Sequence, residues 1–143
     1  MKRLVLLGAA AVFALGTAVA ADNPAAERQT LMGNVGAATG VGAKIAKGEM
    51  AFDAATAQLV LRTMNAAALG FGYMFPEGSE TGSKTEAAPA IWSDRAGFNA
   101  ASAKFVADTA TAASVTDLDS FRAAFGAATK NCGSCHKAYR VKN

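Results

Sequence analysis

The segment that ends the chain carries a continuous apolar stripe at helical spacing. Its members recur in steps of three and four: Leu118, Phe121, Phe125, Ala128, Cys132, Cys135 and Tyr139. Residues spaced in this way share one face of an α-helix, so the stripe predicts one long amphipathic helix. Apolar residues elsewhere in the chain also recur at three and four rather than two. We therefore expect an all-α fold.

Capping residues and helix breakers divide the chain into four helical segments. These segments run from Pro24, after Asn23, to Lys47; from Asp53 to about Phe75-Pro76; from Pro89 onward; and from Thr116, with Asp119 as capping-box partner, to the C-terminus. The stretch between residues 76 and 88 is rich in Gly, Ser and Thr and is the one long connection. Helices of this length and spacing fit an antiparallel up-down-up-down four-helix bundle.

Residues 1–20 have the pattern of a secretory signal peptide. Two basic residues open the chain, an apolar run fills residues 4–15, and the small-x-small sequence Ala-Val-Ala fills residues 18–20. A membrane anchor is the alternative, but a spanning helix needs roughly 20 apolar residues. We expect cleavage after Ala20 or Ala21, export to the periplasm, and a single domain over residues 21–143 that has no membrane segment.

The charge of the chain gives little support to a nucleic-acid partner. Removing Lys2 and Arg3 with the signal lowers the formal net charge from +3 to +1, and no basic helix face remains. Basic residues do gather near the C-terminus, at Lys130, Lys137, Arg140 and Lys142.

The two cysteines and the one histidine of the chain fall within five positions, Cys132-Gly133-Ser134-Cys135-His136. This is the C-x-x-C-H attachment motif of c-type haem. Positions three apart on a helix share a face, so both thiols can reach the vinyl groups on one porphyrin edge. The adjacent imidazole can then bind the iron as proximal ligand. We expect one haem c, attached covalently.

Three other readings of this motif are weaker. A zinc site needs four ligands where the motif offers three, and a thioredoxin-like redox pair needs a βαβ setting. A plain disulfide is compatible with an oxidising compartment. It would not explain why the single histidine directly follows Cys135.

The chain resembles the class II cytochromes c, that is, the cytochrome c-prime group and its low-spin relatives. The resemblance rests on the position of the haem motif near the C-terminus and on segments in the family's order and spacing: Arg28–Met32, Ile45–Glu49, Phe75–Gly78, Pro89–Asp94 and Cys132–Arg140.

This resemblance implies roles for several further residues. Arg28 and Gln29 match positions beside the haem edge, where a guanidinium can pair with a propionate. Glu86 matches a loop position that approaches the haem, through its side chain or its backbone. Arg140 matches a basic position near the proximal side, and a solvated cation at the end of a helix is an equal alternative. Apart from the resemblance, Phe121 lies within a few turns of the attachment site, as does Phe125, and we expect both to wall the haem from water.

Met32 matches the distal position, across the haem from His136. In low-spin relatives a methionine here binds iron and favours electron transfer. In the high-spin group this residue only packs over a five-coordinate iron, and methionine is also a common filler of apolar cores. We expect ligation by Met32 and keep packing as the alternative.

The expected function is therefore periplasmic one-electron transfer to a transiently bound redox partner, without enzymatic turnover. The alternative is binding of nitric oxide or carbon monoxide at an open distal face. A peroxidase is disfavoured because no second histidine is present for acid–base work. The first helix contains Gly33, Gly36, Gly40 and Gly42. Such glycines would admit either a flat cofactor or a second copy of the chain, so a homodimer remains open.

Overall fold

The computed structural model describes residues 23–81 and 84–141, and the predicted signal peptide lies outside them. The helices are α1 (Pro24–Lys47), α2 (Ala54–Phe71), α3 (Ala90–Ser93), α4 (Arg95–Thr109) and α5 (Leu118–Tyr139). Short 3-10 turns follow α2 at Gly72–Met74 and α4 at Ala110–Ser114. Within the described ranges there is no β-strand, only an isolated antiparallel bridge between Ala87 and Arg140. The all-α prediction is confirmed.

Helix α1 begins and ends where the sequence predicts. The Asn23 side chain accepts a hydrogen bond of 3.1 Å from the Ala26 N–H, and Pro24 occupies the first turn, where its missing N–H costs nothing. At the other end Gly48 has φ 79°, a left-handed conformation that glycine adopts without strain. Its N–H donates to Ile45 O at 3.0 Å and closes the last turn.

The third predicted helix is broken in two. Asp94 has φ −119° and ψ 56°, and its side chain accepts a 3.1 Å hydrogen bond from the Gly97 N–H. A short acceptor side chain can satisfy the first free N–H groups of a new helix, so Asp94 ends α3 and caps α4. The expectation of one continuous helix from Pro89 is wrong at this residue.

Two further boundaries shift by a few residues. Helix α2 ends at Phe71 and tightens into a 3-10 turn, earlier than the predicted end near Phe75. The capping box of α5 is formed by Asp117 and Ser120, one position after the predicted pair. The Ser120 N–H donates to Asp117 Oδ1 at 2.8 Å, and the Asp117 N–H donates to Ser120 Oγ at 3.2 Å. The N-cap of α5 is therefore the carboxylate of Asp117 and not the hydroxyl of Thr116.

The long helices pack as an antiparallel up-down-up-down four-helix bundle, with α1 against α2 and α5, and α4 against α2 and α5. One core cluster fills its centre with fully buried side chains from several helices, among them Ile45, Leu61, Met64 and Phe121. A smaller cluster of Phe75, Ile91 and Phe98 supports the connection between α2 and α3. Among the helices of the described ranges, none is long and apolar enough to cross a membrane.

Candidate haem-binding site

A cavity of about 710 Å³ lies between α1, α4, α5 and the loop that precedes α3. It brings together all of the site residues expected from the sequence, namely Arg28, Gln29, Met32, Glu86, Cys132, Cys135, His136 and Arg140. Its size is within the range of about 300–1,000 Å³ typical of sites for small molecules and cofactors.

The C-x-x-C-H motif lies on the last turns of α5. Cys132 and Cys135 are half-buried free thiols, one helical turn apart, and both line the cavity. Burial raises the pKa of both thiols, and the neighbouring Cys132 raises that of Cys135 further. Because the two thiols share one face of α5, both can bond to one edge of a flat group.

His136 lies directly after this pair, at the cavity surface. Partial burial against the cavity walls lowers the pKa of its imidazole, and the nearby Arg140 lowers it further, while Glu86 acts in the opposite direction. A lowered pKa favours the neutral ring, which is the form that binds a metal ion.

Helix α1 forms another part of the cavity wall. Met32 lines the cavity, half-buried, and packs against the central core cluster. Gly33 and Gly36 line the same wall, and a Cβ placed on either would meet no atom within 4 Å. The wall thus offers a thioether sulfur beside space that no side chain of α1 occupies.

The Arg28 side chain crosses the cavity end towards the loop. It is only 5% exposed, and its guanidinium lies 4.7 Å from the centre of the Phe75 ring. Nη1 donates to Met74 O and Ser79 Oγ, both at 3.1 Å. Nη2 donates to Ser79 O at 3.0 Å and to Thr85 Oγ1 at 3.5 Å. Burial lowers the pKa of Arg28, although an arginine remains charged at any physiological pH.

The loop before α3 is tied to the end of α5. The Val141 N–H donates to Glu86 O at 2.9 Å, and the Ala88 N–H donates to Tyr139 O at 3.0 Å. The side chains of Glu86 and Arg140 form an ion pair across the same junction. These contacts hold the loop over the cavity beside His136.

Some hydrogen bonds of cavity residues were not foreseen. Asn131, 6% exposed, precedes the first cysteine and donates to Asp108 Oδ2 at 2.7 Å. Tyr139 donates to Asp94 Oδ2 at 2.9 Å. Asn131 is a buried polar residue directly before the haem motif, and this position in the sequence could have identified it as a cavity residue. The pairing of Tyr139 with Asp94 joins distant segments and left no sequence signal.

The expectation that Phe121 and Phe125 wall the haem is wrong. Their rings stack 5.3 Å apart inside the central core cluster and do not line the cavity. The aromatic walls come from other segments: Phe71, Phe75, Phe98, Phe105 and Tyr139. The prediction placed both rings correctly on the inner face of α5. Along the bundle axis, however, the two rings lie in the central core cluster and do not reach the cavity.

The residues present fit a covalently held porphyrin. Two thiols and an imidazole line the cavity from α5, glycines and a methionine line it from α1, and aromatic rings contribute to the rest of its lining. Charged side chains are confined to the end of the cavity where the loop meets α1 and α5.

Known proteins are similar to this chain in sequence and in fold. The family model described as Cytochrome C′ matches residues 23–140. Cytochrome c-556 of Agrobacterium fabrum is 39% identical over 127 residues, which cover 87% of this chain and 86% of that protein. Cytochrome c′ of Rhodopseudomonas palustris is 35% identical over 141 residues, which cover 98% and 97%.

A solved structure of cytochrome c′ from Rhodopseudomonas palustris superposes with a TM-score of 0.80 at 34% identity, and the match covers 86% of this chain and 99% of that one. The agreement of family model, relatives and fold over nearly the whole described chain leads to one assignment. The chain belongs to the cytochrome c′ family, whose members carry a covalently attached haem c.

Proposed function

We propose that this protein carries single electrons in the periplasm through one haem c bound to Cys132 and Cys135, with His136 as proximal ligand and Met32 as distal ligand. The observation that supports the proposal is that His136, from α5, and Met32, from α1, line the same cavity. A bound haem would supply the one-electron iron couple.

The residues of the motif would hold and orient that group. Thioether bonds from the two cysteines would fix one porphyrin edge to α5. Burial and Arg140 lower the pKa of the His136 imidazole, which favours the neutral ring whose lone pair can bind a metal. The aromatic side walls exclude water, which helps to set the reduction potential.

Ligation by Met32 is supported by its place on α1. The side chain is half-buried against the core and lines the cavity. Gly33 and Gly36 leave open space on the same helix, and aromatic rings line other parts of the cavity. A flexible thioether can turn to a metal without moving the helix. His/Met ligation raises the reduction potential of a haem and suits electron transfer.

Binding of a diatomic gas is the second candidate. It is favoured by the open space at Gly33 and Gly36, on the same wall as Met32. The solved nitric oxide complex of a mutant cytochrome c prime from Alcaligenes xylosoxidans superposes with a TM-score of 0.76 at 30% identity. If Met32 only packs beside the iron, this candidate takes first place.

The remaining parts of the proposal concern location and partners. The signal-like residues 1–20 support export to the periplasm. Electron transfer needs a transient redox partner rather than a turned-over substrate. In a second copy of the chain, the exposed Gly40 would allow close approach of α1, since a Cβ there meets nothing within 4 Å.

Absorption spectroscopy of the purified holoprotein tests the choice of sixth ligand. Spectra are recorded for the oxidised protein, for the reduced protein, and for the reduced protein under carbon monoxide. Sharp low-spin bands, a weak methionine-to-iron charge-transfer band and a slow response to the gas would support the electron carrier.

Broad high-spin bands with rapid carbon monoxide binding would instead overturn ligation by Met32 and favour the gas-binding protein. Absence of covalent haem would reject both candidates. The three outcomes are distinguishable in one preparation.

A further inference from the structure

Helix α5 ends without the left-handed glycine that closes α1. Its C-cap residue, Arg140, has φ −124° and ψ 131°, which is extended backbone. His136 lies in the last turn before this point. The last four C=O groups of a helix have no partner within it, so a helix end frays unless other segments hold it. The turn that carries His136 therefore depends on tertiary contacts.

Tyr139, the last residue of α5, makes three such contacts. Its carbonyl accepts a hydrogen bond of 3.0 Å from the Ala88 N–H. Its ring packs edge-on against the fully buried Phe98 ring, with the centroids 5.4 Å apart, and both residues line the cavity. Its hydroxyl donates to Asp94 Oδ2 at 2.9 Å. Since Tyr139 follows His136 by three positions, the two residues are neighbours on one face of the helix.

Asp94 binds two segments at once. Its Oδ1 accepts the 3.1 Å hydrogen bond from the Gly97 N–H that caps α4, and its Oδ2 accepts the one from Tyr139. The space at Gly97 is fully used, because a Cβ added there would lie 2.6 Å from the Tyr139 hydroxyl oxygen and closer still to the carboxylate. The break between α3 and α4 therefore places a carboxylate where it holds the end of α5.

We infer that Tyr139 and Asp94 are positioning residues for the proximal ligand, because their hydrogen bond holds the last turn of α5 and so fixes the orientation of the His136 ring. This inference rests on the proposed haem site. Contacts behind a metal ligand orient it and tune the metal. The bond is exposed to solvent, so its loss should change the geometry of this turn more than the stability of the bundle.

The test uses two variants of the holoprotein that remove the bond from opposite sides. Tyr139→Phe removes only the hydroxyl and keeps the ring. Asp94→Ser keeps a good N-cap for α4, but its shorter side chain cannot also reach Tyr139. The matched controls are Tyr73→Phe, at a residue that is 89% exposed, and Asp53→Ser, at the N-cap of α2. Both control residues lie outside the cavity.

The main readout is the set of paramagnetically shifted proton resonances of the His136 ring, which reports ring orientation whether or not Met32 binds the iron. We expect both variants to shift these resonances and the controls to leave them in place. The double variant should shift them no further than either single one, because the two replacements remove the same bond. Asp94→Asn should return them towards the wild-type values, since its Oδ1 can cap α4 while its Nδ2 donates to Tyr139.

Two further measurements separate positioning from a purely structural role. The ferrous-to-ferric ratio at the wild-type midpoint should change in Tyr139→Phe and Asp94→Ser, by at most about tenfold, which is the limit of what one hydrogen bond contributes. Hydrogen exchange of the Ala88 N–H, which donates to Tyr139 O, should become several-fold faster.

Unchanged ring resonances in both variants would overturn the inference, even if exchange at Ala88 became faster, because the bond would then hold the loop without orienting His136. Additive shifts in the double variant would overturn it too. These outcomes are observed in a protein that retains covalent haem, and they leave the proposed function standing. Failure of the proposed function would instead appear as a wild-type protein without covalent haem.

Discussion

The Phe125 ring packs directly against the backbone of Gly42, where α1 crosses α5. A Cβ added at Gly42 would lie 2.4 Å from Phe125 Cε2. Phe125 is held in turn by stacking on the fully buried Phe121. The glycine therefore sets how closely the two helices that carry the site approach each other.

Gly42→Ala should destabilise the protein. The ring has little room to move, and overpacking of this kind costs about 1–3 kcal/mol in the free energy of unfolding. Gly126→Ala is the control, within α5 and outside the cavity, because its Cβ would meet no atom within 4 Å. The control should be neutral or stabilising by up to about 1 kcal/mol through helix propensity. Urea unfolding of both holoproteins measures the difference, and equal stability of the two variants would contradict the packing argument.

Met32→Ala should convert a low-spin spectrum to a high-spin one and speed the binding of carbon monoxide. The reason is the loss of the proposed sixth ligand, which lines the same cavity as His136. Met50→Ala is the control, since Met50 is 38% exposed and lies outside the cavity. Identical spectra for wild type and Met32→Ala would show that Met32 only packs.

Replacing both cysteines by serine should leave no haem that resists extraction with acidified acetone. Serine cannot form the thioether bonds expected at Cys132 and Cys135. The single replacement His136→Ala keeps both thiols and should retain covalent haem while abolishing the native spectrum. Extraction followed by absorption measurement separates the two roles, and resistant haem in the double variant would contradict covalent attachment through this motif.

Asp108 should contribute stability that depends on pH. Hydrogen bonds from Asn131 and from Lys104 lower the pKa of its carboxyl group. A lowered folded-state pKa means that this contribution is present above the unfolded value of about 3.9 and is lost as the pH falls through the folded value. Asp108→Ala should therefore cost about 1 kcal/mol at pH 7. The cost should fade in acid.

The control for this experiment is Asp119→Ala, which removes a carboxylate that is 95% exposed. Urea unfolding at pH 7 and again well below pH 4 gives the comparison. A deficit of Asp108→Ala that persists unchanged in acid would mean that packing, rather than the charged hydrogen bond, is responsible.

Sequence periodicity located the helices because each buries one apolar face, and helix caps are local. Asn23 and Gly48 illustrate this point, since each acts through neighbours within four residues. The haem motif was equally local. In contrast, the break at Asp94 depended on competition between helix continuation and capping, which nearby sequence alone does not decide.

Long-range contacts could not be predicted from the sequence. The hydrogen bonds of Arg28 reach residues 46 to 57 positions away. Whether a guanidinium faces a cofactor or a loop depends on the path of that loop, which no periodic pattern encodes. The same holds for the aromatic walls, which come from three separate segments.

The cavity also affects the stability of the chain without its cofactor. Apolar side chains that line an unfilled space lack the contacts of a packed interior, at a cost that rises with the volume of the space. A porphyrin in the cavity of about 710 Å³ would supply those contacts and complete the interior of the bundle as a side chain does. Attachment through two covalent bonds would make that part of the hydrophobic core permanent, so that dilution could not remove it.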